Sequence, residues 1–389
     1  MPEGPVRLPR TVKALALVSL MNDFASEMVY PLLPAFVTKT LGSGAAVLGA
    51  LDGAADFASS ALRWVSGRLA DRPGRRGPLI LVGYGLAVLV RPLMSLASAA
   101  WQVVGFRVVD RMGKGLRSPA RDAMIADVTP VELRGRAFGF HRGADHLGAV
   151  LGSLAAWWLL TRQVDVRQVL SWSALPGLIA ALALVWALRS ATRTDPRRPS
   201  PTSKAESDRV PWAGLLSLAT LGFVRLPETL LLLRMQDLGL AVATVPLIWA
   251  ALHIVRSGAS YPGGVLVDRF GIGGPLTAGT LLYAGTLAAL GRPLSPASAV
   301  AVYLGYGLVA GLIEPAERAA VGAMAGPKTG RAFGIYQGIA GAAALPVGLA
   351  FGWLYQSRGA GLALTVGAGS SVAALGLWAA RRQGGRSLR

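Results

Sequence analysis

The sequence predicts an all-α membrane protein with twelve transmembrane helices, arranged as two pseudo-symmetric six-helix bundles. Hydrophobic residues make up 53% of the 389-residue chain and charged residues only 15%, so it is far more apolar than a typical soluble domain. Apolar segments of membrane-crossing length recur along the chain, and the second half repeats short motifs of the first. Long stretches of the chain are therefore expected to lie in lipid.

Six apolar segments occur in each half, and crossing the hydrocarbon takes about 20 such residues. The first six lie near 14–37, 46–66, 78–97, 101–125, 138–160 and 168–189. The second six lie near 211–233, 243–264, 275–291, 297–322, 332–355 and 360–381. We predict an N-terminal bundle over 1–189 and a C-terminal bundle over 211–389. The polar, proline-interrupted stretch 190–210 is predicted to be a cytoplasmic linker.

Three motifs recur in the second half at a nearly constant offset. The matched pairs are Asp71 and Asp268, Arg136 and Arg331, and Pro119 and Pro315, with offsets of 268 − 71 = 197, 331 − 136 = 195 and 315 − 119 = 196. A duplication of this length inside a hydrophobic chain is typical of secondary transporters built from two related halves.

The formal net charge of +19 is distributed over alternate loops. Basic residues gather before the first segment, after the second and fourth, between the halves and at the C-terminus, which is the positive-inside pattern. This pattern predicts a multi-pass protein of the cell inner (cytoplasmic) membrane with both termini in the cytoplasm. The basic residues are therefore explained by insertion into the lipid bilayer, and no nucleic-acid partner is expected. The absence of cysteine excludes disulfides and thiolate metal sites.

The ten residues from Gly67 to Arg76 join the second and third predicted helices. This loop resembles the signature of the major facilitator superfamily, and the resemblance extends over the whole chain in helix count, duplication and linker. It implies two bundles that rock around a central site, with Asp71 pairing at a cytoplasmic gate. The corresponding residues are Gly67, Asp71, Arg72, Gly74, Arg75 and Arg76, with Asp268 and Arg269 in the second copy. For Arg72, Arg75 and Arg76, a role in membrane topology alone is an equally good interpretation. Gly273 and Gly274 stand where the second copy would be expected to be basic, so that half of the gate is expected to be weaker.

The fourth segment carries the densest charge, with Arg107, Asp110, Arg111 and Lys114 at helical spacings. A central charge exposed to lipid costs about 2.5–3.5 kcal/mol on the lenient insertion scale, so this helix is predicted to line water or to pair its charges. Arg107 matches the arginine that the family resemblance links to substrate binding or proton coupling. An interfacial ion network is the favoured interpretation of three later residues, Arg117, Arg121 and Asp122.

Acidic residues are also predicted at membrane depth in the first two helices. Asn22, Asp23 and Glu27 lie in the middle of the first segment, and Asp56 lies in the middle of the second. Burial favours the protonated form of a carboxyl group and a nearby arginine favours the ionised form, so such acids can exchange protons near neutral pH. We interpret Asp23, Glu27 and Asp56 as candidate proton carriers paired with the fourth helix. A static buried salt bridge is the alternative.

Further polar candidates lie in later helices. His141 and Asp145, four residues apart, could share a proton or bind a divalent cation, although a hydrogen-bonded cluster is the commoner outcome. The second half adds Glu228, His253 and Glu314. Whether any metal binds is unknown from the sequence.

The sequence thus predicts a secondary active transporter of a small solute, proton-coupled, exporting and monomeric. One alternative is a divalent metal exporter using Asp23, Glu27, His141 and Asp145, which would have to converge. A lipid flippase or a non-transporting membrane sensor is another. No nucleophile motif, phosphate loop or cofactor fingerprint is recognised, so neither an enzyme nor a cofactor is expected.

Overall fold

The structure is a computed structural model, and it describes residues 8–70, 72, 74–129, 134–191, 212–222, 224–325 and 329–386. All regular secondary structure in these ranges is helical. Most of the predicted linker 190–210 lies outside the described residues, as does Asp71.

The described part of the first half contains seven helices of seven or more residues. They are α1 (Arg10–Val29), α2 (Ala45–Ala70), α3 (Arg76–Leu93), α4 (Ala100–Val128), α5 (Arg134–Thr161), α6 (Val166–Trp172) and α7 (Ala174–Ala191). Short helical turns continue α1 as far as Thr40. Asp165 caps the start of α6, because its carboxylate accepts a hydrogen bond from the backbone N–H of Arg167 at 2.8 Å.

The second half has corresponding helices. They are α8 (Trp212–Gly222), α9 (Glu228–Asp237), α10 (Val245–Phe270), α11 (Gly273–Leu290), α12 (Pro296–Ala325), α13 (Thr329–Arg358) and α14 (Ala360–Arg386). The chain leaves helical structure between α8 and α9. Pro227 precedes α9 and has no N–H with which to continue an earlier helix, which accounts for the interruption at this point.

Within the described residues, seven helical stretches are long and apolar enough to cross a membrane. They are Ala45–Ala70, Arg76–Leu96, Val166–Leu188, Val242–Val267, Pro296–Val321, Ile335–Arg358 and Ala360–Arg381. Helix α4 is not among them, since charged residues recur along its length. Large apolar side chains such as Leu89, Leu182 and Trp353 are exposed on the outside of the molecule, as expected for a surface that faces lipid. The total of twelve spans stays a prediction.

The two halves share a packing plan. In the first, α4 packs against α2 and α3; in the second, α12 packs against α10 and α11. Gly115 of α4 lies against the backbone of Ser59, and Gly311 of α12 lies against Ala259. The offset of these two glycines is 311 − 115 = 196, the value found for the sequence repeat. Small residues allow two helices to approach this closely.

The halves meet along α2 and α13, and also where α5 contacts α10. A Cβ atom on Gly348 would overlap the backbone of Gly49, so only glycine fits this crossing. Near the start of α2, the backbone N–H of Ala46 donates to Oε1 of Gln356 at 3.1 Å. We call this end of the molecule, defined by Ala46, Gly49, Gly348 and Gln356, the closed end.

Candidate functional site: a charged cavity between the halves

A cavity of about 590 Å³ lies between the two halves. Its charged lining residues in the first half are Glu27, Asp52, Asp56, Arg63, Arg111 and Lys114. Those in the second half, together with one histidine, are Arg225, Glu228, His253, Arg256, Glu314 and Glu317. The cavity is therefore polar inside a protein whose exterior is apolar, and its walls belong to both halves.

Behind the first-half wall, an ion-pair cluster holds α3 and α4 together. Nε of Arg91 lies 2.9 Å from Oδ1 of Asp110, and Nη1 of Arg107 lies 3.3 Å from Oδ2. Arg91 also donates to Oδ1 of Asn22 at 3.0 Å, which ties α1 to the cluster. Arg107 and Asp110 are only 2% and 1% exposed. As predicted, their charges are shielded from lipid, but they pair with each other and do not line the cavity.

Arg91 is a polar residue that the sequence interpretation missed. It is a single charge in an otherwise apolar segment, and that isolation is the signal that could have identified it. Its partners lie on two other helices, so its role depends on how the helices pack.

Asp52 joins the two halves next to this cluster. One oxygen, Oδ2, accepts from the Tyr30 hydroxyl at 3.1 Å, from Thr229 Oγ1 at 2.8 Å and from the Thr229 backbone N–H at 3.2 Å. The guanidinium of Arg107 lies over the Tyr30 ring, 4.5 Å from its centroid. Nε and Nη2 of Arg107 have no hydrogen-bond partner among the described residues. Asp52, which was not a predicted site residue, therefore links α2 to the start of α9.

Glu27 makes a second polar connection across the cavity. Its Oε2 accepts a hydrogen bond from the Trp249 indole N–H at 2.7 Å and lies 3.9 Å from Nε2 of His253. Both partners are on α10 of the second half. Asp23 instead accepts from Nδ2 of its neighbour Asn22 at 2.9 Å and is not part of the cavity lining.

The second-half wall neutralises its own charges. Arg256 forms an ion pair with Glu228, whose Oε1 also accepts from the Tyr306 hydroxyl at 3.1 Å. Arg225 forms an ion pair with Glu317. Glu314 lies nearer the surface, with its side chain 55% exposed and paired with Arg318 at 3.3 Å. These carboxylates therefore have cationic partners within their own half.

The later residues of α4 are more buried than the predicted interfacial network would be. Arg117 is buried, donates to the Gly83 carbonyl at 3.1 Å and stacks on the Tyr84 ring. Arg121 is buried and pairs with Asp122 at 2.9 Å. Because α4 packs against α3 and α1, both arginines lie inside the protein and not at the cytoplasmic membrane surface. Asp122 stays half exposed.

The predicted metal ligands do not converge in the described part of the chain, where no cluster of three suitable side chains occurs. Nδ1 of His141 lies 3.6 Å from Oδ2 of Asp145, so these two residues pair with each other on α5. Glu27, another predicted ligand, accepts a hydrogen bond from the Trp249 indole N–H and is not paired with His141 or Asp145.

The predicted gate is described only in part. Arg76 forms an ion pair with Asp127 and donates to the Ala70 carbonyl at 2.9 Å, so it links the loop to α4. Gly74 adopts a φ of 72°, which favours glycine. Gly67 lies in the last turn of α2, and Arg72 follows that helix. Arg75 directly precedes α3, and Arg269 stacks on Phe270. Asp71 and the side chain of Asp268 lie outside the described residues, so pairing at this gate stays a prediction.

Comparison with known proteins yields matches over most of the chain. A family model described as Major Facilitator Superfamily matches residues 15–338. An uncharacterised MFS-type transporter of Methanocaldococcus jannaschii is 26% identical over 370 residues, covering 91% of this chain and 90% of that protein. The multidrug resistance protein MdtH of Salmonella typhi is 25% identical over 349 residues, covering 87% and 83%.

Solved structures share the fold at low sequence identity. The nucleoside transporter NupG has a TM-score of 0.75 at 12% identity, covering 95% of this chain and 98% of that one. A D-xylose–proton symporter has a TM-score of 0.70 at 15% identity, covering 94% and 96%. These similarities establish the helical architecture, and they do not identify a substrate.

Proposed function

Because the chain belongs to the major facilitator superfamily, we propose that it is a proton-coupled secondary active transporter that exports a small organic solute by alternating access. The observation that carries this proposal is the charged cavity between the halves, with hydrogen bonds from both halves converging on its carboxylates. A cavity bounded by two bundles can open to either side when the bundles rock. The metal alternative receives no support from the described residues, because their carboxylates and histidines form no cluster.

Proton coupling is proposed to act through Glu27, with Asp56 as a second carrier. Glu27 is held by the indole N–H of Trp249, which belongs to the opposite half. Protonation would remove the charge that strengthens this hydrogen bond and would weaken the contact between the halves. The proton would thus favour a different arrangement of the bundles, which is the requirement for coupling transport to a gradient.

Topology and direction complete the proposal. Twelve spans with both termini in the cytoplasm would place the closed end outside, and we propose that the cavity opens to the inside. Similarity to a multidrug resistance protein supports export. The protein is proposed to act as a monomer in the cell inner membrane.

The test is transport by purified full-length protein in proteoliposomes. A panel of drugs, organic anions and divalent metals is screened for accumulation driven by an imposed pH gradient. Glu27→Gln and Asp56→Asn should abolish gradient-driven accumulation and retain solute exchange at zero gradient. Asp165→Asn is the matched control, since asparagine still caps α6 and the residue lies outside the cavity. If both cavity variants accumulate solute as the parent does, these acids are structural and the proposed coupling is wrong.

A further inference from the structure

Three cations on the first-half wall of the cavity have no anionic partner within hydrogen-bond distance in the part of the chain that the structure describes. Arg63 on α2 donates to the neutral Oε1 of Gln337 at 3.2 Å, and its Nε has no partner. On α4, the side chains of Arg111 and Lys114 form no hydrogen bond or ion pair with the described residues. This wall differs from the opposite one, where Arg225 and Arg256 are ion-paired.

The carboxylates of the same wall lie closer to the closed end. Asp56 precedes Arg63 by seven residues, a rise of about 10 Å along α2, and Asp52 precedes it by eleven, about 16 Å. Asp52 already accepts three hydrogen bonds through one oxygen. The acids of α2 are therefore separated from Arg63 along the helix, although Asp56 remains within electrostatic range of Arg63 and Arg111.

The carboxylates that the second half adds to the cavity lining, Glu228, Glu314 and Glu317, each pair with an arginine of that half. The same half faces Arg63 with the amide of Gln337, next to Tyr336. Tyr336 lies within electrostatic range of Glu317, but that carboxylate is ion-paired with Arg225. Lys114 lies within electrostatic range of Arg111 and Arg63, which repel it, and of Asp23, which attracts it from outside the cavity lining. A bound anion would relieve this repulsion.

The remainder of the cavity is suited to an apolar body. Tyr283 and Tyr306 line it with their ring centroids 5.9 Å apart, and Trp249 lines it nearer Glu27. Flat aromatic faces of this kind pack against apolar or aromatic groups.

We infer that the cavity binds an amphipathic organic anion, with its carboxylate or phosphate between Lys114 and Arg63 and its apolar body against Tyr306 and Tyr283. This inference rests on the proposed function, since it names the substrate class for the same cavity. The occupant is limited by the volume of about 590 Å³. Opposite charge placed in a pocket of low dielectric gives both affinity and selection against cations.

The inference is tested by equilibrium binding to purified full-length protein in detergent, with four probes that share a naphthalene body. They are 2-naphthoxyacetate, 2-naphthyl phosphate, 2-(2-naphthyloxy)ethanol and 2-naphthylmethylamine. Both anions should bind at least about tenfold more tightly than the alcohol and the amine, and the anions should lose affinity as salt is added. The tighter of the two anions identifies the preferred headgroup.

Variants locate the binding site. Lys114→Gln and Arg63→Gln should each weaken anion binding by about tenfold or more and leave binding of the alcohol unchanged. The matched control is Arg68→Gln, because Arg68 is on the same helix as Arg63 but stacks on Trp64 outside the cavity lining. Two variants on different helices are used so that loss of folding in one does not prevent the test.

The outcomes separate this inference from the proposed transport cycle. Equal affinity for the anions and the alcohol, or anion binding that survives both cavity substitutions, would overturn it. Charge-dependent anion binding without pH-driven flux would support the substrate class and contradict the coupling. If the protein shows proton-coupled flux of another solute and does not prefer the anions, the coupling would be supported and the proposed substrate class contradicted.

Discussion

The two halves share their packing but differ in how they manage charge. Gly115 and Gly311, 196 residues apart, make equivalent helix contacts. At the same offset from Arg107 and Asp110, the second half has Tyr303 and Tyr306. The first half therefore buries charged side chains behind the cavity wall, and the second half has tyrosine rings at the corresponding positions. Duplication has kept the small residues that set helix spacing, while the polar chemistry of the core has diverged.

The largest expected effect concerns the ion-pair cluster of the first half. Asp110→Asn leaves Arg91 and Arg107 buried without their carboxylate, and breaking a buried pair in this way costs about 3–5 kcal/mol. Thermal unfolding in detergent should show a large loss of stability. Glu228→Gln in the second half should cost less, because its pair with Arg256 is partly exposed. Equal losses of thermal stability in the two variants would contradict the proposal that the first half buries its ion pairs more deeply than the second.

The next effect concerns the contact between the halves. Gly348→Leu puts a side chain into the backbone of Gly49, and overpacking of this kind costs about 1–3 kcal/mol. It should destabilise the closed end and slow the transport cycle measured in proteoliposomes. Gly338→Leu, on the same helix, is the control, because a Cβ atom there meets nothing within 4 Å. Similar transport by both variants would show that this crossing is not needed for the cycle.

A smaller effect is expected at the Asp52 bridge. Thr229→Val removes the hydroxyl donor to Asp52 but keeps the backbone N–H, so we expect a loss of about 0.5–1.5 kcal/mol. The closed arrangement should become less populated, which can be measured from the distance between spin labels at the exposed positions 40 and 357, so that Gln356 is kept. Thr365→Val is the control, since that hydroxyl bonds only within its own helix. An unchanged distance distribution in Thr229→Val would mean that the bridge does not bias the closed end.

The smallest effect is expected at the exposed pair of the second half. Glu314→Gln should change the free energy of unfolding by less than about 1 kcal/mol, because both Glu314 and Arg318 are more than half exposed. Chemical denaturation of the parent and the variant in the same detergent provides the measurement. A loss as large as that in Asp110→Asn would contradict the assigned difference in burial.

The sequence predicted the family and the all-helical class, and both are confirmed. Patterns of charge at helical spacing also located Asp56, Arg111, Lys114, Glu228 and His253, which line the cavity, although their roles remain predictions. These residues were identifiable because each is a polar group in an apolar segment.

The partners of these residues were not predictable in the same way. Arg91 meets Asp110 only when α3 packs on α4, and Asp52 meets Thr229 only when the two halves dock. Sequence spacing encodes neighbours on one helix, whereas these contacts depend on the relative placement of several helices. For the same reason, the sequence could group Glu27 with His141 and Asp145 as ligands, although in the structure Glu27 bonds to Trp249 while His141 and Asp145 pair with each other.

Alternating access is tested most directly by accessibility of the cavity to a membrane-impermeant maleimide. The natural chain has no cysteine, so Ala310→Cys on the cavity wall would be the single reactive site. In sealed vesicles of each orientation, we predict labelling from both faces, with Gly348→Leu increasing labelling through the closed end and decreasing it from the opposite face. Labelling from one face alone, unchanged by Gly348→Leu, would contradict a cavity that opens alternately to the two sides.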